Sequence, residues 1–470
     1  MNLYEYQAED LKWFLDHPKS MILYEPRLGK TVVSVHISAL DPDCTTVLIL
    51  CPKNALLEWR DHFRDLWPSL AKGRTLEIRL IRGKGGNAAT VRKELWLRKR
   101  EKNTTVFICT YGAYRQDATF LASPASQKIL PNFRAIFPDE VHKLMKNRNN
   151  VTVKLLKYLV GRWGNKRYHP LSGTLAGKGG PTDFWPNLNI IEPKRFGSYW
   201  GFAHQFCEIV QGAFGQEIIG PKNVEGFHKV LDTYGRRRFR RICRPDMPEV
   251  IRSLLPAEPT LEQLNMHMQL QSEGYHFNGE SGVIAATSLE QALRARQIAA
   301  CPRIFGLDYG VGAAIEDLAN RLDDPDICPT PQDRHIVVFT EFRAALDHFQ
   351  WYLHSRGHNS VWQLHGGMEP ELQQARVKLF RESLGIILCT STYAEAFSLA
   401  PAQTCYHIGF SWDPNVNKQA EDRLVPQQGD YSINSYYYHL DGIDTMVAHT
   451  NVNKEKVISI SIGSARIFDT

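Results

Sequence analysis

Short apolar runs rich in β-branched residues recur along the chain, and each ends in small or polar residues before a segment with helical spacing. This alternation predicts parallel α/β sheets, because strands buried on both faces have nearly continuous apolar sequences. In the first part of the chain the predicted strands are SMILYEP (20–26), TVLILCP (46–52), TVFICTY (105–111), RAIFPDE (134–140) and YHPLSGT (168–174).

The strand pattern stops after this part and returns beyond Asp333 in HIVVFTEF, SVWQLHGG, GIILCTS, CYHIGFSW and SYYYHLDG. Residues between the two patterned parts are expected to be mainly helical. The sequence therefore predicts an N-terminal α/β lobe (1–194), a mainly helical insertion or linker region (195–328) and a C-terminal α/β lobe (329–470), with PTPQD at the junction.

Composition narrows the class of protein. With 470 residues and 43% hydrophobic content, the chain can bury two or three cores. No apolar run predicts a membrane span and the start does not resemble a signal peptide, so we expect a cytoplasmic protein. Nine scattered cysteines without a C-x-x-C spacing predict neither a zinc site nor a disulfide framework. The net charge of +6 permits nucleic-acid binding without demonstrating it.

The segment LYEPRLGKT (23–31) combines a strand, a turn and the start of an apolar helix. A loop ahead of a helix directs backbone N–H groups at an anion, Lys30 can reach phosphates and the Thr31 hydroxyl can meet Mg²⁺. The usual phosphate-binding loop has glycine where Tyr24 stands, so only the second half of that pattern matches. An incidental Gly-Lys-Thr helix start remains the alternative.

The segment AIFPDEVHKLMKN (135–147) ends an apolar strand with Asp139 and Glu140. On its own, such a pair is more often a solvated acidic turn. A phosphate-binding loop, however, needs an acidic site on a nearby strand to hold Mg²⁺ and position the attacking water. The two signals strengthen each other, and together they predict a nucleoside triphosphate site.

The order of these and further segments resembles the Swi/Snf-like branch of superfamily-two DNA helicases and translocases, in its compact phage or bacterial type similar to annealing and fork-remodelling helicases. The resemblance covers nearly the whole chain. The matching segments, in order, are LYEYQAEDLKWFL, EPRLGKT, LILCPKNALLEWRDHF, ICTYGAYR, PDEVHKLMKN with its Lys-Asn signature, LSGTLAGKGGPTDFWPNLNII, IVVFTEFRAALDHF, LHGGM, CTSTYAEAFSLAPAQTCYHIGFSWDPNVNKQAEDRL and the closing helix DGIDTMVAHTNVNKEKVI.

The resemblance implies two RecA-like lobes, ATP and Mg²⁺ as cofactors, and a role for individual residues. It implies catalytic roles for Lys30, Asp139, Glu140, His142 and Arg423, the last as an arginine finger from the second lobe. It implies nucleotide contacts by Gln7, Arg27, Gly29, Lys30, Thr31 and Gln419, and binding of Mg²⁺ by Thr31 and, through water, by Asp139. DNA contacts fall on Lys53, Thr110, Tyr111 and Thr390.

An arginine-rich segment, YGRRRFRRICRPDMP (234–248), is the sharpest local signal for DNA. Guanidinium groups suit phosphate oxygens and would follow a DNA backbone without reading its sequence. Internal ion pairing or a solvated basic face is the open alternative. The predicted DNA-binding residues are Arg236, Arg237, Arg238, Arg240 and Arg241. The aromatic stretch FGSYWGFAHQFC (196–207) is assigned to the core rather than to base stacking.

The leading hypothesis is an ATP-dependent DNA helicase or translocase that moves on duplex or branched DNA, independently of sequence, and remodels forks or junctions in replication, recombination or repair. A DNA-binding clamp of the same fold with weak or lost ATPase activity is the alternative. Four departures from the family pattern keep it open: Tyr24, Arg27, AEAFSL (394–399) and Pro426 in place of a second arginine. We expect a monomer in the cytoplasm of a bacterial or phage-infected cell.

Overall fold

A computed structural model describes residues 3–83, 86–145, 150–161, 167–173, 180–212, 215–278, 281–391, 397–426 and 431–443 of the chain. The described residues divide into two compact units. The first unit ends at Arg244 and the second begins at Pro245. Several segments of the predicted motifs lie outside the described residues: the Lys-Asn signature at 146–147, Thr174, residues 394–396 of AEAFSL and the closing helix beyond Ile443.

The first unit contains a parallel sheet with the strand order β3-β4-β2-β5-β6. β1 pairs in parallel with β9, and isolated bridges from Lys19 to Tyr168 and from Ile22 to Leu171 join β1 to the chain at β6. A separate antiparallel hairpin is formed by β7 and β8. The strands are β1 (Met21–Tyr24), β2 (Thr46–Cys51), β3 (Leu76–Ile81), β4 (Thr104–Thr110), β5 (Ala135–Pro138), β6 (Arg167–Tyr168), β7 (Cys207–Gly212), β8 (Gly215–Pro221) and β9 (Gly235–Arg238).

Helices cover both faces of this sheet. Successive side chains of each strand point to opposite faces, so alternate residues pack into two different cores. Ile22 packs with one helical layer and Leu23 with the other, and Ile49 and Leu50 divide in the same way. The helices are α1 (Glu5–Asp16), α2 (Lys30–Leu40), α3 (Leu56–Leu70), α4 (Gly86–Leu97), α5 (Tyr111–Ala122), α6 (Pro124–Ile129), α7 (His142–Met145), α8 (Val151–Gly161), α9 (Trp185–Ile191), α10 (Tyr199–Phe206), α11 (Val224–Tyr234) and α12 (Arg240–Cys243). Short 3₁₀ turns occupy Lys53–Ala55 and Gly180–Phe184.

The second unit contains a six-stranded parallel sheet in the order β10-β17-β16-β13-β15-β14, and a small antiparallel hairpin of β11 and β12. Val338 and Val337, adjacent in β13, face different cores on the two sides of the sheet. Its strands are β10 (Val250–Ala257), β11 (Tyr275–Asn278), β12 (Ser281–Ile284), β13 (Ile336–Thr340), β14 (Val361–Leu364), β15 (Ile386–Thr390), β16 (Thr404–His407) and β17 (Ile433–Leu440). Its helices are α13 (Leu261–Glu273), α14 (Ser288–Ala300), α15 (Ala313–Asp323), α16 (Arg343–Ser355), α17 (Pro370–Glu382) and α18 (Pro414–Glu421), with 3₁₀ turns at Pro302–Phe305 and Pro331–Arg334.

The predicted α/β class with two parallel-sheet lobes is confirmed. The predicted region 195–328 differs from expectation, because it contains strands β7 to β12 as well as helices. The chain up to Arg244 belongs to the first unit, where β9 pairs with β1, and the rest belongs to the second, where β10 pairs with β17. Among the described residues, no helix combines the length and apolar character needed to cross a membrane.

Candidate active site

A tight loop, residues 25–29, joins β1 to α2. Two of its residues have left-handed backbone conformations, Gly29 with φ of 82° and Arg27 with φ of 70°. Glycine is needed at position 29 for a second reason, since a Cβ there would lie 2.3 Å from the side-chain nitrogen of Gln7. The loop turns the chain so that α2 begins at Lys30, and the N-terminal N–H groups of such a helix attract anions.

Tyr24 occupies the position where the usual phosphate-binding loop has glycine. Its side chain is fully buried in the core, and its hydroxyl donates a hydrogen bond of 2.7 Å to Asp10 of α1. The bulky side chain is thus held by the preceding helix.

Lys30 and Thr31 are the first two residues of α2. The Lys30 ammonium donates a hydrogen bond of 3.1 Å to the carbonyl oxygen of Tyr24, which places it across the loop that precedes its own helix. A bound phosphate would compete for the same ammonium group. The pair has the chemistry of a phosphate and Mg²⁺ site, because lysine supplies charge and threonine supplies a hydroxyl oxygen.

Gln7 ties α1 to this loop. Its side-chain oxygen accepts a hydrogen bond from the backbone N–H of Tyr4, which caps α1, and its side-chain nitrogen donates to the carbonyl oxygen of Leu28 at 3.0 Å. The Tyr6 hydroxyl donates to the same carbonyl oxygen at 2.9 Å. Gln7 was predicted to contact the nucleotide; here its amide bonds within the protein, next to Gly29.

Asp139 follows β5 and is 8% exposed. Among the described residues its carboxylate forms one hydrogen bond, accepted from the indole N–H of Trp59 at 2.8 Å, and has no ion-pair partner. Burial and the neighbouring charge of Glu140 raise the pKa of Asp139 to about 7, against the smaller opposing effects of the Trp59 hydrogen bond and the Lys30 charge. A bound cation would stabilise the ionised form of such a buried carboxylate.

Glu140 has a left-handed backbone with φ of 47°, an unusual conformation for a residue with a side chain. Its carboxylate lies 3.4 Å from the Nδ1 atom of His142. The same His142 nitrogen is 3.1 Å from the hydroxyl of Ser172, in the segment LSG that follows β6. The acidic pair is therefore connected through His142 to the next predicted motif, as the resemblance implies for that histidine.

These residues form one site within the first unit. The influence of Lys30 on the pKa of Asp139 brings the loop before α2 and the end of β5 into electrostatic contact. The residues fit Mg²⁺ and a triphosphate, since a buried carboxylate with no ion pair among the described residues, a hydroxyl at a helix start and a lysine suit a hard cation and phosphate oxygens.

Comparison with known proteins places the chain in a family. The SNF2-related domain matches residues 6–304, and the helicase conserved C-terminal domain matches residues 321–425. The chain belongs to the SNF2-related family. The Swi/Snf-like resemblance of the sequence is thereby confirmed.

Several curated proteins are similar to this SNF2-related chain. The human DNA annealing helicase and endonuclease ZRANB3 is 25% identical over 242 residues, which is 51% of this chain and 20% of ZRANB3. The ISWI chromatin-remodeling complex ATPase CHR17 of Arabidopsis thaliana is 23% identical over 452 residues, 90% of this chain and 38% of CHR17. This chain thus spans well under half the length of these relatives. The Sulfolobus solfataricus SWI2/SNF2 ATPase core in complex with dsDNA aligns with a TM-score of 0.42 and 16% identity over 98% of this chain and 94% of its own.

The second unit of this SNF2-related protein carries Gln419 and Arg423 at the end of α18. Gln419 is buried within the helix, and Arg423 follows it half-buried, with its backbone oxygen accepting a hydrogen bond of 2.7 Å from Leu399. Between them, Glu421 is 0% exposed and pairs with Arg252 of β10 at 2.7 Å. Pro426 lies beyond the helix, so it leaves α18 intact.

Hydrogen bonds from Arg252, Ser435 and Tyr437 hold Glu421, the last residue of α18, against strands β10 and β17. Arg252 donates to it through Nε and Nη2, Ser435 donates at 2.6 Å and Tyr437 donates at 2.7 Å. Burial is the largest single effect and opposes ionisation, but the charges of Arg252 and His407 and the hydrogen bonds from Arg252 and Ser435 together outweigh it and lower the pKa of Glu421. Sequence reasoning missed this network, although the acidic residue stands two positions before the predicted arginine finger.

The arginine-rich segment is largely committed to internal ion pairs. Arg238 pairs with Asp10 at 2.5 Å and Glu9 at 3.0 Å, and Arg237 pairs with Asp232 at 2.8 Å. Arg236 lies 3.6 Å from Asp10 and stacks over Trp13 at 4.1 Å. The alternative interpretation, internal pairing, therefore describes these three arginines, while Arg240 and Arg241 lie in the short helix α12 beyond β9.

Three of the predicted DNA contacts are buried. The Thr110 hydroxyl caps α5 by accepting a hydrogen bond from Ala113, and Thr390 is 8% exposed at the end of β15. Tyr111 is 6% exposed and its hydroxyl donates to the backbone oxygen of Asp139. The Tyr111 side chain is thus hydrogen-bonded inside the first unit, and its contact with DNA stays a prediction. Lys53 is exposed in the 3₁₀ turn after β2.

Proposed function

We propose that this protein hydrolyses ATP and uses the free energy to move along duplex or branched DNA, remodelling forks and junctions. The supporting observation is the single site of the first unit, in which the loop before α2 and the acidic pair after β5 act on each other electrostatically. Family membership supports the same reaction class.

Each residue of the site can perform one step of hydrolysis. Lys30 would bind the β and γ phosphates, and Thr31 and, through water, Asp139 would hold Mg²⁺, whose charge would offset the negative charge on the phosphates. Glu140 orients the attacking water. His142 and Ser172 link that carboxylate to the segment after β6. Most of the rate enhancement in this chemistry comes from positioning and charge.

The second unit supplies a further charge in this proposal. Arg423 stabilises the γ phosphate during transfer, and Gln419 contributes to nucleotide binding. The fixed end of α18 supports this role, since the hydrogen bonds that Glu421 accepts from Arg252, Ser435 and Tyr437 hold the helix end two residues before Arg423. Arg27, with its left-handed backbone, remains a candidate nucleotide contact in the first unit.

DNA is proposed to bind through its phosphates, independently of sequence, with Lys53, Arg240 and Arg241 as candidate contacts. The similarity to an annealing helicase and to chromatin-remodelling ATPases supports forked and duplex substrates in replication, recombination or repair. Action as a monomer, and location in the cytoplasm of a bacterial or phage-infected cell, stay predictions.

The test is ATP hydrolysis by the purified chain with no DNA and with single-stranded, duplex, forked and four-way DNA. We expect stimulation by duplex or branched DNA. Lys30→Ala and Glu140→Gln should each lower the stimulated rate by about a hundredfold or more, and Arg423→Ala by about a thousandfold, because each removes a charge or a water-positioning group from the transition state.

Exposed residues provide matched controls: Lys72→Ala and Glu94→Gln should hydrolyse ATP at the wild-type rate. Near-normal turnover in both Lys30→Ala and Glu140→Gln would overturn the assignment of the site. A wild-type chain that binds DNA with no hydrolysis on any substrate would instead establish the clamp without ATPase activity.

A further inference from the structure

Two aromatic side chains hold Asp139 from within the first unit. Trp59 of α3 is 1% exposed and donates its indole N–H to the carboxylate of Asp139 at 2.8 Å. Tyr111, the first residue of α5, donates its hydroxyl to the backbone oxygen of the same residue. Asp139 is thus restrained at its side chain by a residue of α3 and at its backbone oxygen by a residue of α5.

The peptide that Tyr111 holds is the one before the strained residue Glu140. A left-handed conformation costs a residue with a Cβ about 1–2 kcal/mol and persists only where the surroundings impose it. Sheet-like hydrogen bonds fix both sides of the turn, from the Asp139 N–H to Leu50 at 2.7 Å and from the Val141 N–H to Leu171 at 3.0 Å. The Tyr111 hydroxyl adds a restraint on the carbonyl between them, whose rotation would turn Glu140 away.

The strand register explains why these residues meet. β2 lies between β4 and β5, with Cys51 level with Thr110 and Leu50 level with Pro138. Tyr111 and Asp139 therefore each stand one residue beyond the end of their strands, at the same edge of the sheet. α3 and α5 begin at this edge, within the two segments that carry the predicted DNA contacts Lys53, Thr110 and Tyr111.

We propose that Trp59 and Tyr111 are positioning residues for Asp139 and Glu140, and that through them the chain segments after β2 and β4 adjust the hydrolytic site when DNA binds. The inference rests on the proposed ATPase function and adds a route for its stimulation by DNA. It assigns Tyr111 to the rate of hydrolysis and not to DNA affinity.

The experiment compares Tyr111→Phe and Trp59→Phe with wild type. At saturating ATP and DNA, each variant should lower kcat by about tenfold, the factor expected for one lost buried hydrogen bond. The KM for ATP and the Kd for duplex DNA should stay within about twofold, since neither side chain is proposed to contact a ligand. Trp59→Phe should also require more Mg²⁺ to reach half of its maximal ADP affinity in calorimetry.

The same helices provide matched controls. Tyr114→Phe removes a buried hydroxyl of α5 that bonds to Thr152 at 3.4 Å, and Trp67→Phe removes an indole of α3 that bonds to Arg74 at 3.0 Å. Both should keep the wild-type kcat. Equal losses of kcat in Tyr111→Phe and Tyr114→Phe would mean that these hydroxyls serve only the fold, and would overturn the proposal.

A rise in the Kd for DNA in Tyr111→Phe, with kcat unchanged at saturation, would make Tyr111 a DNA contact and would also overturn the proposal. A wild-type chain without ATPase activity would refute the proposed function separately. In that case the Mg²⁺ dependence of ADP binding still tests Trp59, and an unchanged dependence in Trp59→Phe would contradict its role.

Discussion

Asp139 in the first unit and Glu421 in the second are both buried carboxylates beside the end of a regular element, yet their surroundings are opposite. Asp139 has a neutral indole as its donor, and burial raises its pKa to about 7. Glu421 has Arg252, Ser435 and Tyr437 as donors, and its pKa is lowered despite burial. The charge of Asp139 would be compensated by a bound cation, whereas the charge of Glu421 is compensated by Arg252 within the fold.

Both carboxylates are buried, so burial alone does not distinguish them, whereas their hydrogen-bond and ion-pair partners do. A carboxylate with no ion pair among the described residues is costly to ionise, and its position beside Lys30 and Glu140 suits the proposed Mg²⁺ site. A compensated one holds elements together, here α18 to β10 and β17. Because Arg423 stands two residues after Glu421, the structural carboxylate also stabilises a segment with a proposed role in hydrolysis.

The largest effect is expected from Asp139→Asn, which removes the charge that would hold Mg²⁺. Turnover should fall by about a thousandfold. Stability should change in the other direction: a carboxyl with a raised pKa stabilises the fold below its unfolded pKa and loses that contribution as pH rises through its folded pKa. Above pH 7, therefore, Asn should raise the free energy of unfolding, measured by urea titration.

Exposed Asp65→Asn is the matched control and should alter neither quantity. A variant Asp139→Asn that hydrolyses ATP normally, or that is markedly less stable than wild type at pH 8, would show that Asp139 stabilises the fold, as Glu421 does, and does not hold Mg²⁺.

Glu421→Gln should produce the opposite result, with stability as the main loss. It leaves the Arg252 guanidinium buried without its counter-charge, which typically costs about 3–5 kcal/mol. The second unit should unfold at lower urea concentration. The double variant Arg252→Met with Glu421→Gln should recover part of this loss, because no unpaired charge is then buried.

For the exposed pair of Arg98 with Glu101, Glu101→Gln should leave the unfolding curve unchanged. If the double variant were less stable than Glu421→Gln alone, the interaction of Arg252 with its remaining partners would outweigh the cost of its charge, contrary to the interpretation given.

The sequence predicted the strands with continuous apolar runs and missed strands of mixed polarity. β2, β4, β5, β13 and β15 are buried throughout, so their apolar runs are continuous and were recognised. β3 with Arg79 and β10 with Arg252 are mixed in polarity and were missed, as was β9 within the arginine-rich segment. Their strand state depends on a neighbouring strand and a counter-charge, which local periodicity does not contain.

The candidate site shows the same limit. Motif order predicted Lys30, Asp139 and Glu140 as site residues, since their chemistry is encoded in short segments. It did not reveal that Arg238 pairs with Asp10, 228 positions earlier, or that the Tyr111 hydroxyl turns inward to Asp139. The sheet register determines which residues distant in sequence become partners, and residue type alone does not predict these pairs.

The smallest effect concerns His407, which stacks on Tyr437 and lies 4.0 Å from Glu421. Burial lowers the pKa of His407 to about 4, against the raising effect of the Glu421 charge. Its contribution to stability is thus complete above the unfolded pKa of 6.5 and is lost as pH falls from there towards about 4. His407→Gln, which cannot take up a proton, should reduce the slope of unfolding free energy against pH by up to about 1.4 kcal/mol per pH unit in this window.

The exposed His354→Gln should leave the slope unchanged. An unaltered slope in His407→Gln would mean that this histidine is protonated in the folded state, so that Glu421 has two cationic partners and differs from Asp139 even more than Arg252 alone makes it.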